Sequence, residues 1–202
     1  MNQSKRYFSF FVLPLLFFAA LSTAAAQPEV GPVMEPSFEI SLHVLIGSNE
    51  AGSKADLPAS LSGISRQLRS NFSFSNYRLA NTFLGRISNT GNIEYKSISN
   101  ILGQESDPES QTFLEWSMGS FRVMPRGFQA RSFRFGARVP VRTGSSKDDS
   151  GRITPLIHYE PVGLSMNVIG LPANTPTLVG TISLPKTTGT IFLVATIKPA
   201  EM

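Results

Sequence analysis

The chain has 202 residues, 41% of them hydrophobic and 16% charged, with 16 Gly, 14 Pro and no Cys. That balance excludes a collagen, a disulfide-stapled scaffold, a zinc–thiolate module and a highly charged disordered tail. The formal net charge of +4 falls to +2, sixteen bases against fourteen acids, once Lys5 and Arg6 are removed with the leader described next. Such a small surplus does not support global nucleic-acid binding.

Residues 1–26 read as a cleaved signal peptide. Lys5 and Arg6 form the positive region, residues 7–21 an apolar run broken at Pro14, and Ala24, Ala25 and Ala26 the small-residue cleavage site. The run is shorter than the roughly 20 apolar residues of a spanning helix. The mature chain is expected to begin at Gln27 and to contain no transmembrane segment. An exported chain without cysteine fits a bacterial periplasmic or secreted protein, soluble after export.

Residues 27–38 carry Pro28, Pro32 and Pro36 and read as an extended lead-in. In 39–47 the residues Ile40, Leu42, Val44 and Ile46 alternate with Glu39, Ser41 and His43, the period of a half-buried strand with His43 on its wetter face. Pro58 suits a helix start, and Leu61, Ile64, Leu68 and Phe72 form one apolar stripe, so the spacing predicts a helix over 57–72. Two alternating runs, 77–87 and 93–101, flank Asn89, Thr90, Gly91 and Asn92 and predict a hairpin. The first unit, 39–103, is therefore expected to be β-α-β-β.

The acidic stretch 104–111 (QESDPESQ) reads as a loop or linker, after which every signal is β. Leu114, Trp116 and Met118 are expected to face inward. Gly119 and Ser120 then shift the phase, so that Phe121 and Val123 take over. A long strand over 128–142 contains Pro140, which points to an edge or a bend. Shorter strands follow near 153–159, 163–170, 176–184 and 190–198, separated by Pro161, Pro172 and Gly189. The expected fold is α+β and mostly β, with an antiparallel sheet or β-sandwich over 112–199 that forms one domain with the preceding unit or stands beside it.

Motifs that carry chemistry are sparse. Gly47, Gly52, Ser53 and Lys54 nearly spell a phosphate-binding loop, but the lysine does not follow the second glycine, and a strand-to-helix loop is the better reading. Leu184, Pro185, Lys186, Thr187, Thr188 and Gly189 approach a sortase signal with one threonine too many, and a hairpin turn is preferred. Only His43 and His158 are available as bases, and no G-x-S-x-G elbow occurs, so no nucleophilic constellation is visible. Asp148 and Asp149 are a weak hard-cation candidate in a Ser/Gly loop. No cofactor and no metal are expected. The most informative polar pattern lies between Arg122 and Arg142, which hold six arginines and no acid. Arg134, Arg138 and Arg142 share one strand parity against Phe133, Phe135, Val139 and Val141, forming an arginine stripe suited to anionic sugars, phosphates or an acidic protein surface.

The strand, helix, strand, strand order up to residue 102 resembles the small α/β modules in the periplasmic N-terminal parts of bacterial secretins. Residues 157–168 (IHYEPVGLSMNV), 177–180 (TLVG) and 191–199 (IFLVATIKP) look like the apolar strand, glycine turn and closing strand of secretin-type β domains. Together these cover about half of the mature chain. A pore-forming secretin has greater length and a lip segment, so the resemblance implies a periplasmic accessory or assembly protein.

These readings converge on an exported, non-enzymatic envelope protein that binds another envelope component through a strand edge and the arginine face. A secreted module for anionic polysaccharide would use the same stripe, and a periplasmic hydrolase would use a carboxylate pair that leaves no spacing signature. A small outer-membrane barrel would fit the length, but the helix at 57–72 argues against it.

Overall fold

The computed structural model describes residues 36–49, 57–100, 111–184 and 189–200. The expected signal peptide, most of the lead-in, residues 50–54 of the glycine loop, residues 104–110 of the acidic stretch and residues 185–188 lie outside them.

Alternating burial builds two sheets. β1 (Ser37–Ser48) turns Phe38, Ile40, Leu42, Val44 and Ile46 into the core. It pairs antiparallel with β2 (Asn76–Ser88) on one side and β9 (Thr190–Pro199) on the other. With β8 (Thr177–Ser183) this gives sheet A in the order β2-β1-β9-β8. Sheet B has the order β3-β4-β5-β6, formed by β3 (Asn92–Ser99), β4 (Thr112–Met124), β5 (Gly127–Lys147) and β6 (Ile153–Met166). The short β7 (Ile169–Pro172) pairs with the start of β5. Ile40, Leu42, Ile191 and Leu193 of sheet A belong to one core with Trp116, Met118, Phe133 and Phe135 of sheet B, so the two sheets form an antiparallel sandwich. The mostly β, antiparallel α+β class is the observed one.

The one α-helix among the described residues covers the other face of sheet A. α1 (Ser62–Asn71) follows a 3-10 turn, Ala59–Leu61, that Pro58 introduces. Leu61, Ile64 and Leu68 pack on Leu45, Tyr77, Phe192 and Val194, the apolar stripe read from the sequence. The Tyr77 hydroxyl lies 3.1 Å from the carbonyls of both Leu68 and Phe72 and shares its proton between them at the helix end, where Leu68 also accepts the Phe72 amide at 2.9 Å. β9 is consequently covered on both faces, which explains its continuous apolar run in place of alternation. Gly47 has a packing role: a Cβ there would lie 2.8 Å from the Phe192 ring and 2.9 Å from the Phe74 ring. Two aromatic rings close over that backbone.

Three local expectations are corrected. The strand, helix, strand, strand order stands, but β2 and β3 do not form a hairpin. The Gly91 amide closes the turn on the Ser88 carbonyl at 3.1 Å, yet β2 remains at the edge of sheet A while β3 opens sheet B. Ile93 and Tyr95 pack against the sandwich core. They pass over Gly85, where a Cβ would lie 2.3 Å from the Ile93 side chain, and the Tyr95 hydroxyl donates to the Leu84 carbonyl. The strands of 39–103 are thus divided between the sheets, and β1 and β2 share theirs with β8 and β9.

The second correction concerns Pro161, expected to separate two strands. It lies inside β6 opposite Arg138, because β6 is an edge strand and needs no ladder donor on its outer side. The third is Val123, expected inward but 51% exposed, because the core-facing series on β4 ends at Phe121.

One close contact fixes the pairing of β5 with β6. Gly163 pairs with Gly136 across β5 and β6, and a Cβ on Gly163 would sit 2.5 Å from the Phe135 carbonyl oxygen. Backbone cannot give way as a flexible side chain does. Gly163→Ala is expected to destabilise the protein by about 1–3 kcal/mol, read as a lower urea midpoint with an unchanged slope.

Candidate functional site

The outer face of sheet B is built by the residues that alternate with its core side chains. On β5, Phe133, Phe135, Ala137, Val139 and Val141 are buried, which leaves Arg134, Arg138 and Arg142 exposed. The stripe read from parity is therefore present, with successive arginines about 13 Å apart along the strand. Pro140 falls where an edge was expected: β4 pairs with β5 only as far as Arg138, and beyond it β5 is paired by β6 alone.

Parity concealed a fourth member. Inward residues run 128 and 130, then 133 and 135 on β5, and 114, 116 and 118, then 121 on β4. Both strands change phase at the same place while the register between them is unbroken, Gly119 facing Ser132 and Phe121 facing Ala130. Ser120, at φ 54, takes up the reversal on β4. Arg131, whose odd number would place it with Phe133, is exposed instead and extends the cationic track towards Arg122. The only sequence signal for this was the Gly119–Ser120 pair on the neighbouring strand.

Arg134 and Arg138 are brought together around one trough, and Arg142 is not. The Arg138 end, an open groove of about 610 Å³, is lined by Lys96, Ile98, Phe113, Glu115, Gly136 and Pro161. The Arg134 end shares Glu115 and Gly136 with it and adds Glu94, Ser117 and Ser165. Lacking a side chain, Gly136 lets Glu115 lie across β5; a Cβ there would be 3.1 Å from the Glu115 carboxylate. Glu94 is held by Lys96 at 3.1 Å. Neither Arg134 nor Arg138 makes an ion pair among the described residues. Arg142 stands past the end of β4, and its Nε donates to the Gly144 carbonyl at 3.5 Å.

The described residues hold fourteen Lys and Arg against six Asp and Glu. The other four bases and eight acids lie outside the described residues.

Other polar groups are placed apart. His43 lies on sheet A, its Nδ1 3.1 Å from the Thr82 hydroxyl, and burial holds its pKa below the usual histidine value. His158 lies on sheet B opposite Val141. Asp148 is engaged by its own turn, accepting from the Ser150 hydroxyl at 2.6 Å and the Arg152 amide at 2.8 Å, which lowers its pKa. Among the described residues no group of three or more His, Cys, Asp and Glu side chains comes together, and no helix is long and apolar enough to cross a membrane.

On sheet A, Glu39 bridges three strands, reaching Lys198 of β9 at 2.9 Å and Arg86 of β2 at 3.5 Å. The Lys198 contact first, and Arg86 after it, hold the Glu39 carboxyl below the usual range. A carboxyl depressed in the folded state contributes stability above its unfolded pKa, about 4.3, and loses it as pH falls through the folded value. Glu39→Gln is therefore expected to lower the melting temperature slightly at neutrality and to converge with the wild type as pH falls through the folded value, so that its acid decline is flatter.

No family model matches the chain, and no curated protein sequence matches it. Among solved structures, the cryoEM structure of the V. cholerae type IV competence pilus secretin PilQ is similar over 83% of this chain, at 10% identity and a TM-score of 0.29. The chain spans 58% of the length of that secretin chain. A likeness at that score is too remote to carry an argument about fold or function.

Proposed function

We propose that the chain is an exported, non-enzymatic protein of the bacterial envelope that holds an anionic envelope component against the outer face of sheet B. The observation that supports this is the exposed track Arg131, Arg134, Arg138 on a rigid strand, bordering a trough with an apolar wall and having no ion pairs among the described residues. The planar fork of a guanidinium group matches carboxylates and phosphates two bonds at a time. Ile98 and Phe113, both exposed, add the apolar contact that a protein surface offers and a simple polyanion lacks. This favours an acidic protein subunit as the partner. The signal-like leader and the likeness of several segments to secretin-type modules support an accessory or assembly role in secretion or pilus systems.

An acid–base enzyme is the weaker reading. Glu94 and Glu115 do share the trough, but both are exposed, and Glu94 is already paired with Lys96. Carboxylates tuned for such chemistry sit in water-excluding surroundings.

The test is a crosslinked pull-down of the tagged mature protein from its native envelope. The expected result is reproducible recovery of one acidic secretion or pilus subunit at physiological salt, lost as salt rises and the Debye length shrinks. Recovery of anionic polysaccharide in place of protein would move the assignment to a glycan-binding module. Recovery of neither would overturn it.

A further inference from the structure

Apart from the arginine trough, the β4–β5 hairpin has an unusual tip. Register pairs Met124 with Gly127, so only Pro125 and Arg126 form the loop. Arg122, Val123, Met124, Pro125 and Arg126 are all exposed, Val123 by 51% and Met124 by 46%. Three adjacent apolar residues thus stand in water, bracketed by two arginines and with no acid among them.

Three other described turns are built mainly from polar residues, while the β6–β7 connection carries a single exposed apolar residue, Val168. Asn89, Thr90 and Gly91 join β2 to β3, Asp148, Asp149, Ser150 and Gly151 join β5 to β6, and Asn174, Thr175 and Pro176 join β7 to β8. Polar turn residues are the ordinary choice because a hairpin end faces water. Elsewhere Leu84 on β2 and Val168 before β7 stand singly, Ile98 and Phe113 pair across β3 and β4 in the trough, and Ile153 and Leu156 lie near the start of β6. Isolated residues of that kind need no explanation.

The tip is also held firmly. Gly127, at φ 150, brings β5 so close to β7 that a Cβ would meet the Leu171 carbonyl oxygen at 2.3 Å. Phe128 is buried immediately behind it and packs its ring 4.8 Å from Phe38. The apolar residues are therefore presented on a fixed support.

We infer that this tip seats the protein on an anionic phospholipid surface, Val123, Met124 and Pro125 entering the headgroup boundary while Arg122 and Arg126 meet lipid phosphates. Apolar side chains ringed by cations match a bilayer interface, where burial of the one and attraction of the other act together. Charge complementarity continues along β5 to Arg131. This inference is independent of the trough, which lies farther along the same strands, and it adds a membrane contact to the partner contact proposed above.

The experiment is cosedimentation of the mature protein with vesicles of phosphatidylcholine alone and of phosphatidylcholine mixed with phosphatidylglycerol. Binding is expected only to the mixed vesicles. Arg122→Gln/Arg126→Gln should weaken it about thirtyfold at low salt, and Val123→Ser/Met124→Ser about tenfold. Both pairs are exposed, so circular dichroism and melting should be unchanged. In an Arg134→Glu/Arg138→Glu background the tip substitutions should retain their tenfold effect, which separates this contact from the trough. Failure of the wild type to sediment with mixed vesicles, or equal sedimentation of Val123→Ser/Met124→Ser, would overturn the inference. So would a concentration-dependent dimer that disappears in the tip variant while vesicle binding is absent, for that would make the tip a contact between copies.

Discussion

Phe192→Ala is expected to destabilise the protein by about 3–5 kcal/mol, a large part of the margin of an ordinary domain. The ring is fully buried between β9 and α1, with Phe72 at 4.8 Å, Tyr77 at 5.8 Å and Phe74 at 6.0 Å between centroids. The Tyr77 hydroxyl is tied to the end of α1, which limits how far that ring can move into the space. Loss of the ring should loosen the helix before the sandwich. Hydrogen exchange should therefore accelerate across Ser62–Asn71 more than across β4 and β5. Uniform acceleration in both layers would show that the helix layer and the sandwich unfold together.

The second large effect is functional. Arg134→Glu/Arg138→Glu is expected to reduce affinity for the envelope component about a hundredfold while leaving the melting temperature nearly unchanged. Both side chains project from a strand whose alternate residues hold the core, and among the described residues neither contributes an ion pair to the fold. The loss should be greatest at low salt and should shrink as salt rises. Arg142→Glu serves as the control. Its side chain lies outside the trough and bonds back to Gly144, so a loss of only a few fold is expected.

Much of this face was legible in the sequence because a strand reports its own two sides. Parity alone placed Arg134 and Arg138 opposite Phe133 and Phe135, and likewise set Leu114, Trp116 and Met118 inward. The apolar stripe of α1 was visible for the same reason at a different period. What parity cannot carry is which sheet a strand joins. The residues 89–92 have hairpin chemistry and do form a tight turn, yet β3 crosses to sheet B because Ile93 and Tyr95 fill space above Gly85. That is a contact between faces, and no local pattern encodes it. Arg131 was hidden by a phase reversal shared between β4 and β5, which leaves the register intact and therefore leaves no mismatch to detect. Pro161 misled because proline is read as a break, whereas on the outer side of an edge strand it costs no ladder bond.

The claim that the outer face of sheet B is the binding surface is tested most directly by crosslinking from defined positions. A photoreactive residue placed at Ser165, exposed and in register with Arg134, is compared in native envelopes with one at Leu84, 68% exposed on sheet A. The account predicts a discrete crosslinked species from Ser165, abolished by Arg134→Glu/Arg138→Glu, and none from Leu84. A species from Leu84 alone, or one from Ser165 that survives the charge reversal, would contradict it.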